Sequence, residues 1–473
     1  MQYQKETKIL TISLILTVGI VIFGYKSGQK LTNLMANNPQ LSSGNTQGDR
    51  ISLGETILVN NDINNEKKTG VKAFGNGNFA AAITQLEASI KVNRNNPETL
   101  IYLNNAKALS IGKTWEIAVS VPIGSNLNVA QEILRGVAQA QDELNRTGGI
   151  NGRRLVVAIA NDDNNPEIAK NIAAEFVKDT DILAVVGHNA SDVSAAAAQI
   201  YQDKLVMISP TSFAKSLSEI ATQASQGNYI FRTVPSVDFV ANTLSDYMIK
   251  TAHKSKVAIC SDSQAVDNMS FSNEVTTAIY SDGGKSINIS CDFSERNFNP
   301  RAVVDRAIKA GADSLILAPH VDRINKAIEL AQANKGQLAL FSSPTLYTSQ
   351  TLEYGQANVM NMVLAVPWHP AAISRNYFTT NAANLWGGQV NWRTATAYDA
   401  TQVIITGLKQ GNISRSGLQK VFSNPEFTAN GATGKIEFLP TGDRNGAAIL
   451  IKVQPSIQSL NGYEFVPLSQ SGL

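Results

Sequence analysis

Two short segments carry the residues best suited to holding a ligand. After the apolar run ILAVVG comes His188-Asn189-Ala190-Ser191-Asp192, which opens the alanine-rich stretch SAAAAQIY, and after LVMIS comes Pro210-Thr211-Ser212-Phe213. Each places short hydroxyl side chains and free amide N–H groups at a helix start, where unsatisfied donors and the helix dipole favour an anion such as a carboxylate. Either segment alone is as well explained by simple capping, because Ser, Asn and Asp are common N-caps. Two of them on successive strands point to one crevice and a small acid. Enzymatic chemistry finds no such support. The chain has 4 His (His188, His253, His320 and His369), no His-Glu-x-x-His and no Gly-x-Ser-x-Gly, and the GGKS at 283–286 has Ile279 where a phosphate loop needs glycine. The acidic NDDNN at 161–165 lacks the length and terminal Glu of a calcium loop, and Asn165 capping a helix begun by Pro166 explains it better. The expectation is a binding protein without a catalytic residue, metal or cofactor.

The elements that must position these segments follow from composition and periodicity. The 473 residues include 40 Lys plus Arg against 38 Asp plus Glu, with no basic block to grip a phosphate backbone, so nucleic acid is not an expected partner. A hydrophobic fraction of 43% is ample for packed cores, and the length suits about two to four domains. From residue 115 onward, short β-branched runs alternate with helical segments such as 129–145, 166–178, 237–251 and 301–309. Continuous apolar runs separated by helices predict parallel sheets covered on both faces, an α/β doubly wound architecture. About 350 residues exceed one such sheet, so two lobes are expected, with small ligands outside the carboxyl ends of the strands.

The front of the chain is different. Residues 9–25 form an uncharged apolar run flanked by Lys5, Lys8, Lys26 and Lys30, at the short limit of a membrane-spanning helix and beyond a typical signal-peptide core. A retained signal anchor over 1–30 is preferred to a cleaved signal. Residues 31–68 read as a polar linker. Residues 69–113 show helical spacing with breaks at Gly75-Asn76-Gly77-Asn78 and Asn95-Asn96-Pro97, resembling a tetratricopeptide unit or an ordinary helical hairpin.

The ordered motifs VPIGSNLNVAQ, ILAVVGHNAS, LVMISPTS, YIFRTVPS, TATAYDA and GATGKIEFLPTGDR resemble those of the leucine/isoleucine/valine-type periplasmic binding proteins, the type I substrate-binding proteins of ABC transporters. The whole arrangement of anchor, helical unit and binding module is similar to cyanobacterial branched-chain amino-acid binding proteins. This resemblance implies a two-lobed domain over 114–455, with lobe one at 114–234 and 368–430, lobe two at 235–367 and 431–455, and a tail at 456–473. Three crossing segments near 233–236, 365–370 and 431–434 would act as hinges. It also implies extracytoplasmic capture of an amino acid or related compound, with an ABC permease as partner. A membrane-tethered sensor or scaffold with its own signalling partner is the alternative.

Residue by residue, Ser191 matches the hydroxyl that holds the ligand carboxylate, and Thr211 and Ser212 match the loop that grips the amino-acid head. Phe213 stands where those binders place a Thr for the ammonium group, and Thr345 where they place a Glu. Asp267 or Asp192 would restore the missing negative charge, although Asp267 would serve equally as a helix N-cap. His320 matches an aromatic position lining the cleft or is a partly buried surface histidine. Trp368 reads as packing beside a hinge. Cys260 and Cys291, on successive second-lobe strands, are open to a disulfide or to two buried thiols.

Overall fold

The computed structural model describes residues 50–373, 377–411 and 413–468. The apolar run at 9–25 and the first part of the expected linker lie outside the described residues. Among the described residues, no helix is long and apolar enough to cross a membrane.

Lobe one opens with β1 (Ile51–Ser52), α1 (Asn65–Gly75), α2 (Phe79–Val92) and α3 (Pro97–Ile111). It continues as β2 (Thr114–Val121), α4 (Leu127–Arg146), β3 (Arg154–Asn161), α5 (Pro166–Lys178), β4 (Ile182–Val186), α6 (Ser191–Tyr201), β5 (Val206–Ser209), α7 (Lys215–Thr222) and β6 (Ile230–Arg232). Lobe two contains α8 (Val237–Asp246), β7 (Lys256–Ser261), α9 (Val266–Ser281), β8 (Lys285–Ile287), α10 (Pro300–Lys309), β9 (Ser314–Ala318), α11 (Ile324–Asn334), β10 (Ala339–Ser342), α12 (Ser349–Gly355) and β11 (Val363–Val366). The chain returns to lobe one as α13 (Tyr377–Trp386), α14 (Trp392–Lys409), α15 (Arg415–Phe422), β12 (Ala429–Gly431) and β13 (Gly434–Ile436). It ends in lobe two with β14 (Ile449–Pro455) and β15 (Tyr463–Pro467).

Each lobe is a sheet covered by helices. Lobe one has a 6-stranded sheet in the order β1-β3-β2-β4-β5-β6, parallel except for β1, and lobe two a 7-stranded sheet in the order β15-β14-β11-β10-β9-β7-β8, in which β14 runs antiparallel to both of its neighbours. The central strands are buried on both faces, as their unbroken Val, Ile, Leu and Ala runs require, whereas β8, β14 and β15, at or next to the edges of the lobe-two sheet, are partly exposed. Close helix packing sets the core of lobe one. A side chain at Gly136 of α4 would stand 2.2 Å from the Thr394 carbonyl of α14, so glycine lets the two backbones touch. Cys260 at the end of β7 and Cys291 are joined by a disulfide of S–S length 2.07 Å.

Three boundaries differ from the sequence expectations. First, the linker does not extend to residue 68. Ile51 and Ser52 pair with Ala160 and Ile159 of β3, Arg50 lies 2.6 Å from Asp163, and α1 begins at Asn65. The helices behind it are fused to lobe one rather than tethered to it. Asn105 of α3 donates to the carbonyls of Leu53 (2.7 Å) and Val157 (2.8 Å) and accepts from Val157 N (2.9 Å) and Gln141 Nε2 (2.7 Å), completing the edge of β3 with its amide. Lys67 and Glu98 form a fully buried ion pair at 2.5 Å that ties α1 to α3.

Second, the third passage between lobes lies near 445–448 and not at 431–434. The β12–β13 hairpin stays with lobe one because Asp399 of α14 accepts from Ala432 N and from Arg444 Nη1 (3.2 Å), while Asp443 pairs with Arg232 of β6 at 2.5 Å. Third, residues after 455 are not only a tail, since β15 pairs antiparallel with β14 from Ile451↔Pro467 to Pro455↔Tyr463.

Candidate ligand-binding site

The candidate residues leave the carboxyl ends of neighbouring parallel strands. In lobe one, β4 leads to Ser191 and Asp192 and the adjacent β5 leads to Thr211, Ser212 and Phe213. In lobe two, Asp267, His320 and Thr345 follow β7, β9 and β10, which lie side by side in the sheet. The connections between the lobes turn these two edges toward one cleft.

Hydrogen bonds lock the lobe-one loops together. Ser212 Oγ donates to Ser191 Oγ at 3.0 Å, Ala214 N donates to the same oxygen at 3.3 Å, and Thr211 Oγ1 donates to the Asn189 carbonyl at 2.9 Å. Ser194 and Ser209 each donate to the His188 carbonyl at 3.1 Å. Ser191 Oγ thus accepts twice and keeps its own proton to donate. The His188 ring serves the scaffold. It is fully buried, with Nδ1 2.7 Å from Asp162 and Nε2 3.3 Å from the Tyr201 hydroxyl.

Capping separates these helix starts from others in the fold. Asn165, Asn299 and Ser414 accept backbone N–H bonds at the starts of α5, α10 and α15. At α6, α7 and α9 the cap positions are Ala190, Ala214 and Ala265, and no side chain caps them. Asp267 lies inside the first turn of α9 and is not its N-cap. The first N–H groups of α6 are therefore left for another acceptor.

Charges meet across the cleft. Burial pushes the Asp267 carboxyl above its usual value, His320 draws it back down, and the Asp192 charge from lobe one raises it further. Burial works against the His320 imidazolium, but a hydrogen bond to Asp322 and the charges of Asp267, Asp322 and Asp192 together raise its pKa. His320 Nδ1 lies 3.3 Å from Asp322. Asp192, Asp267 and His320 thus form one electrostatic group contributed by both lobes. Thr345 is half-buried in the turn Pro344–Leu346 and has no hydrogen bond to this group among the described residues. Phe213 packs against the cores of both lobes, its ring 5.8 Å from that of Trp392. Trp368 is buried and donates to the Ala432 carbonyl at 3.2 Å.

Sequence reasoning did not pick out a second part of the cleft. A pocket of about 240 Å³ opens between the starts of α4 and α14 in lobe one and residues 321–324 and 348–350 of lobe two. Buried Arg393 in its lining sits in the stretch NWRTATAYDA, where an arginine at a helix start reads as an ordinary surface charge. Among the described residues, no group of three or more His, Cys, Asp or Glu side chains is arranged to hold a metal ion.

Two helix-covered parallel sheets, joined by three passages and facing each other with polar strand ends, define a bilobal ligand-binding architecture. Its family is that of the periplasmic binding proteins, to which this chain belongs through a match over residues 114–454. The leucine-specific-binding protein of Salmonella typhimurium is 28% identical over 206 residues, 42% of this chain and 52% of that protein. An amino acid binding protein of Pseudomonas aeruginosa is 28% identical over 140 residues, 29% of this chain and 36% of that protein. The chain spans about half or less of the length of these relatives. Among solved structures, a leucine-binding protein of Thermotoga maritima superposes with a TM-score of 0.64 at 17% identity, over 74% of this chain and 97% of that one. The isoleucine complex of a branched-chain amino acid substrate-binding protein of Streptococcus pneumoniae gives 0.62 at 16% identity, over 75% and 100%. Likeness at these identities speaks for the fold.

Proposed function

We propose that the chain is an extracytoplasmic solute-binding protein that captures a small polar ligand of amino-acid type between its lobes and presents it to an ABC-type importer. The observation that carries this reading is the uncapped start of α6 beside the Ser191–Ser212 hydroxyl pair, facing the charges of Asp192, Asp267 and His320. A carboxylate fits the α6 N–H groups and the Ser191 hydroxyl, and an ammonium group fits Asp267 or Asp192. The leucine- and isoleucine-binding relatives support this ligand class. The apolar run at 9–25 would tether the protein to the membrane, and the tetratricopeptide-like helices would hold it beside its partner.

A membrane-tethered sensor or scaffold is the second reading. Phe213 favours it, because it fills a head-group position with a ring packed into both cores and offers no hydroxyl. A thermal-shift panel of amino acids, amides and small carboxylates distinguishes the two. A ligand at a hundredfold excess over its Kd stabilises the native state by about 2.7 kcal/mol. A clear upward shift with at least one amino acid is expected, and no shift across the panel would favour the scaffold.

A further inference from the structure

The pocket beside the head-group site holds an uncompensated buried cation. Arg393 is 5% exposed and lines the pocket, and its Nε has no hydrogen-bond partner. Its guanidinium stacks on the Trp392 ring, 4.4 Å from the centroid, which fixes its plane and leaves its edge free. Glu132 is the carboxylate that feels Arg393, but its oxygens are already engaged, one by Arg135 at 2.8 Å and the other by the Thr394 hydroxyl. Arg393 and Arg135 against Glu132 leave one surplus positive charge in the pocket. Two long helices also start at it, α4 and α14; Asn126 and Asn391 cap one first-turn N–H of each, so these starts add the positive ends of their dipoles rather than a set of free donors. Burying a guanidinium without a partner is unfavourable, so its place here calls for an anion.

The pocket adjoins the head-group site on both lobes. Trp392, next to Arg393, packs its ring against Phe213, the neighbour of Ser212, and Val321 in the opposite wall follows His320 directly. We propose that Arg393 and the starts of α4 and α14 form an anion subsite for a second carboxylate, so that the ligand is an acidic amino acid or a short dicarboxylate rather than an apolar amino acid. This rests on the solute-binding reading and deepens it. A bidentate guanidinium–carboxylate pair would supply the missing partner, and the polar amides around it suit a charged end better than an aliphatic one.

Calorimetric titration of the full-length chain with leucine, glutamate and glutarate tests the proposal. Glutamate should bind the wild type at least tenfold tighter than it binds Arg393→Gln, with Arg393→Lys between them and glutarate following the same order. Equal glutamate affinity in wild type and Arg393→Gln would overturn the subsite. Binding of leucine alone would also overturn it while leaving solute capture standing, and binding of none of the three would overturn both. Should Arg393→Gln fail to fold, Glu132→Gln serves instead. Removing the competing carboxylate should tighten glutamate severalfold, and an unchanged or weaker affinity would count against the subsite.

Discussion

Ser191 and Asp267 stand in different surroundings, which suit them to different parts of the proposed ligand. Ser191 Oγ accepts from Ser212 Oγ and Ala214 N, so its proton is the one hydroxyl donor at the start of α6 not committed to the loops. Asp267 is held above the usual 3.8 of an aspartate, by burial first and then by Asp192. A raised carboxyl pKa means that ionisation costs the empty fold, so the stability it contributes falls as pH rises from 3.8 through the raised value. A ligand ammonium favours the ionised form and recovers that loss. Affinity for an α-amino acid should therefore fall on acidification, starting at a higher pH than an exposed aspartate would give, and Asp267→Asn should abolish that acid limb. Titrations across pH check this, and an unchanged acid limb in Asp267→Asn would remove Asp267 from the site. His320 changes stability in the same direction at higher pH, but there the charged form is the favoured one. Its pKa lies above 6.5, so its charged form stabilises the fold below 6.5 and that contribution is lost as pH rises through the raised value.

At the scale of elements, most strands and helices of the two sheets were legible in the sequence. Their β-branched runs end at Gly, Pro or Asn, and the Asn165-Pro166 helix start is capped as its residues require, Asn165 accepting from Glu167 N at 2.9 Å and Ile168 N at 3.1 Å. The features that escaped depend on distant partners. Tyr463–Pro467 is a five-residue run after a turn and becomes a strand only because β14 offers a free edge. The β12–β13 hairpin carries a strand-like pattern, but Asp399 and Arg444 decide its lobe. Asn105 reads as an ordinary helical polar residue until β3 lies beside it. Asn105→Ala leaves several buried backbone and amide groups unpaired, each worth about 1–3 kcal/mol, so a loss of at least roughly 3 kcal/mol is expected in denaturant unfolding. A change under about 0.5 kcal/mol would mean that α1–α3 are not integral to lobe one.

At the scale of the whole molecule, site and fold are inseparable because each lobe carries only half of the polar groups. Lobe one supplies uncapped N–H groups and hydroxyls, lobe two supplies Asp267 and His320, and Lys215 of α7 already reaches Glu274 of α9 at 2.9 Å. Two-lobed architecture and helix-start chemistry could both be read from the chain. The surplus positive charge of the cleft could not, because Arg393 gains its meaning from the neighbours that fail to pair with it. A ligand bridging both lobes binds the closed arrangement better than the open one and so shifts the population toward closure. The most direct test is calorimetric titration of wild type, Ser191→Ala and Asp267→Asn with the amino acid giving the largest thermal shift. Both variants should lose at least tenfold in affinity, since each removes a contact from a different lobe, whereas full affinity in either one would contradict a ligand shared between the lobes.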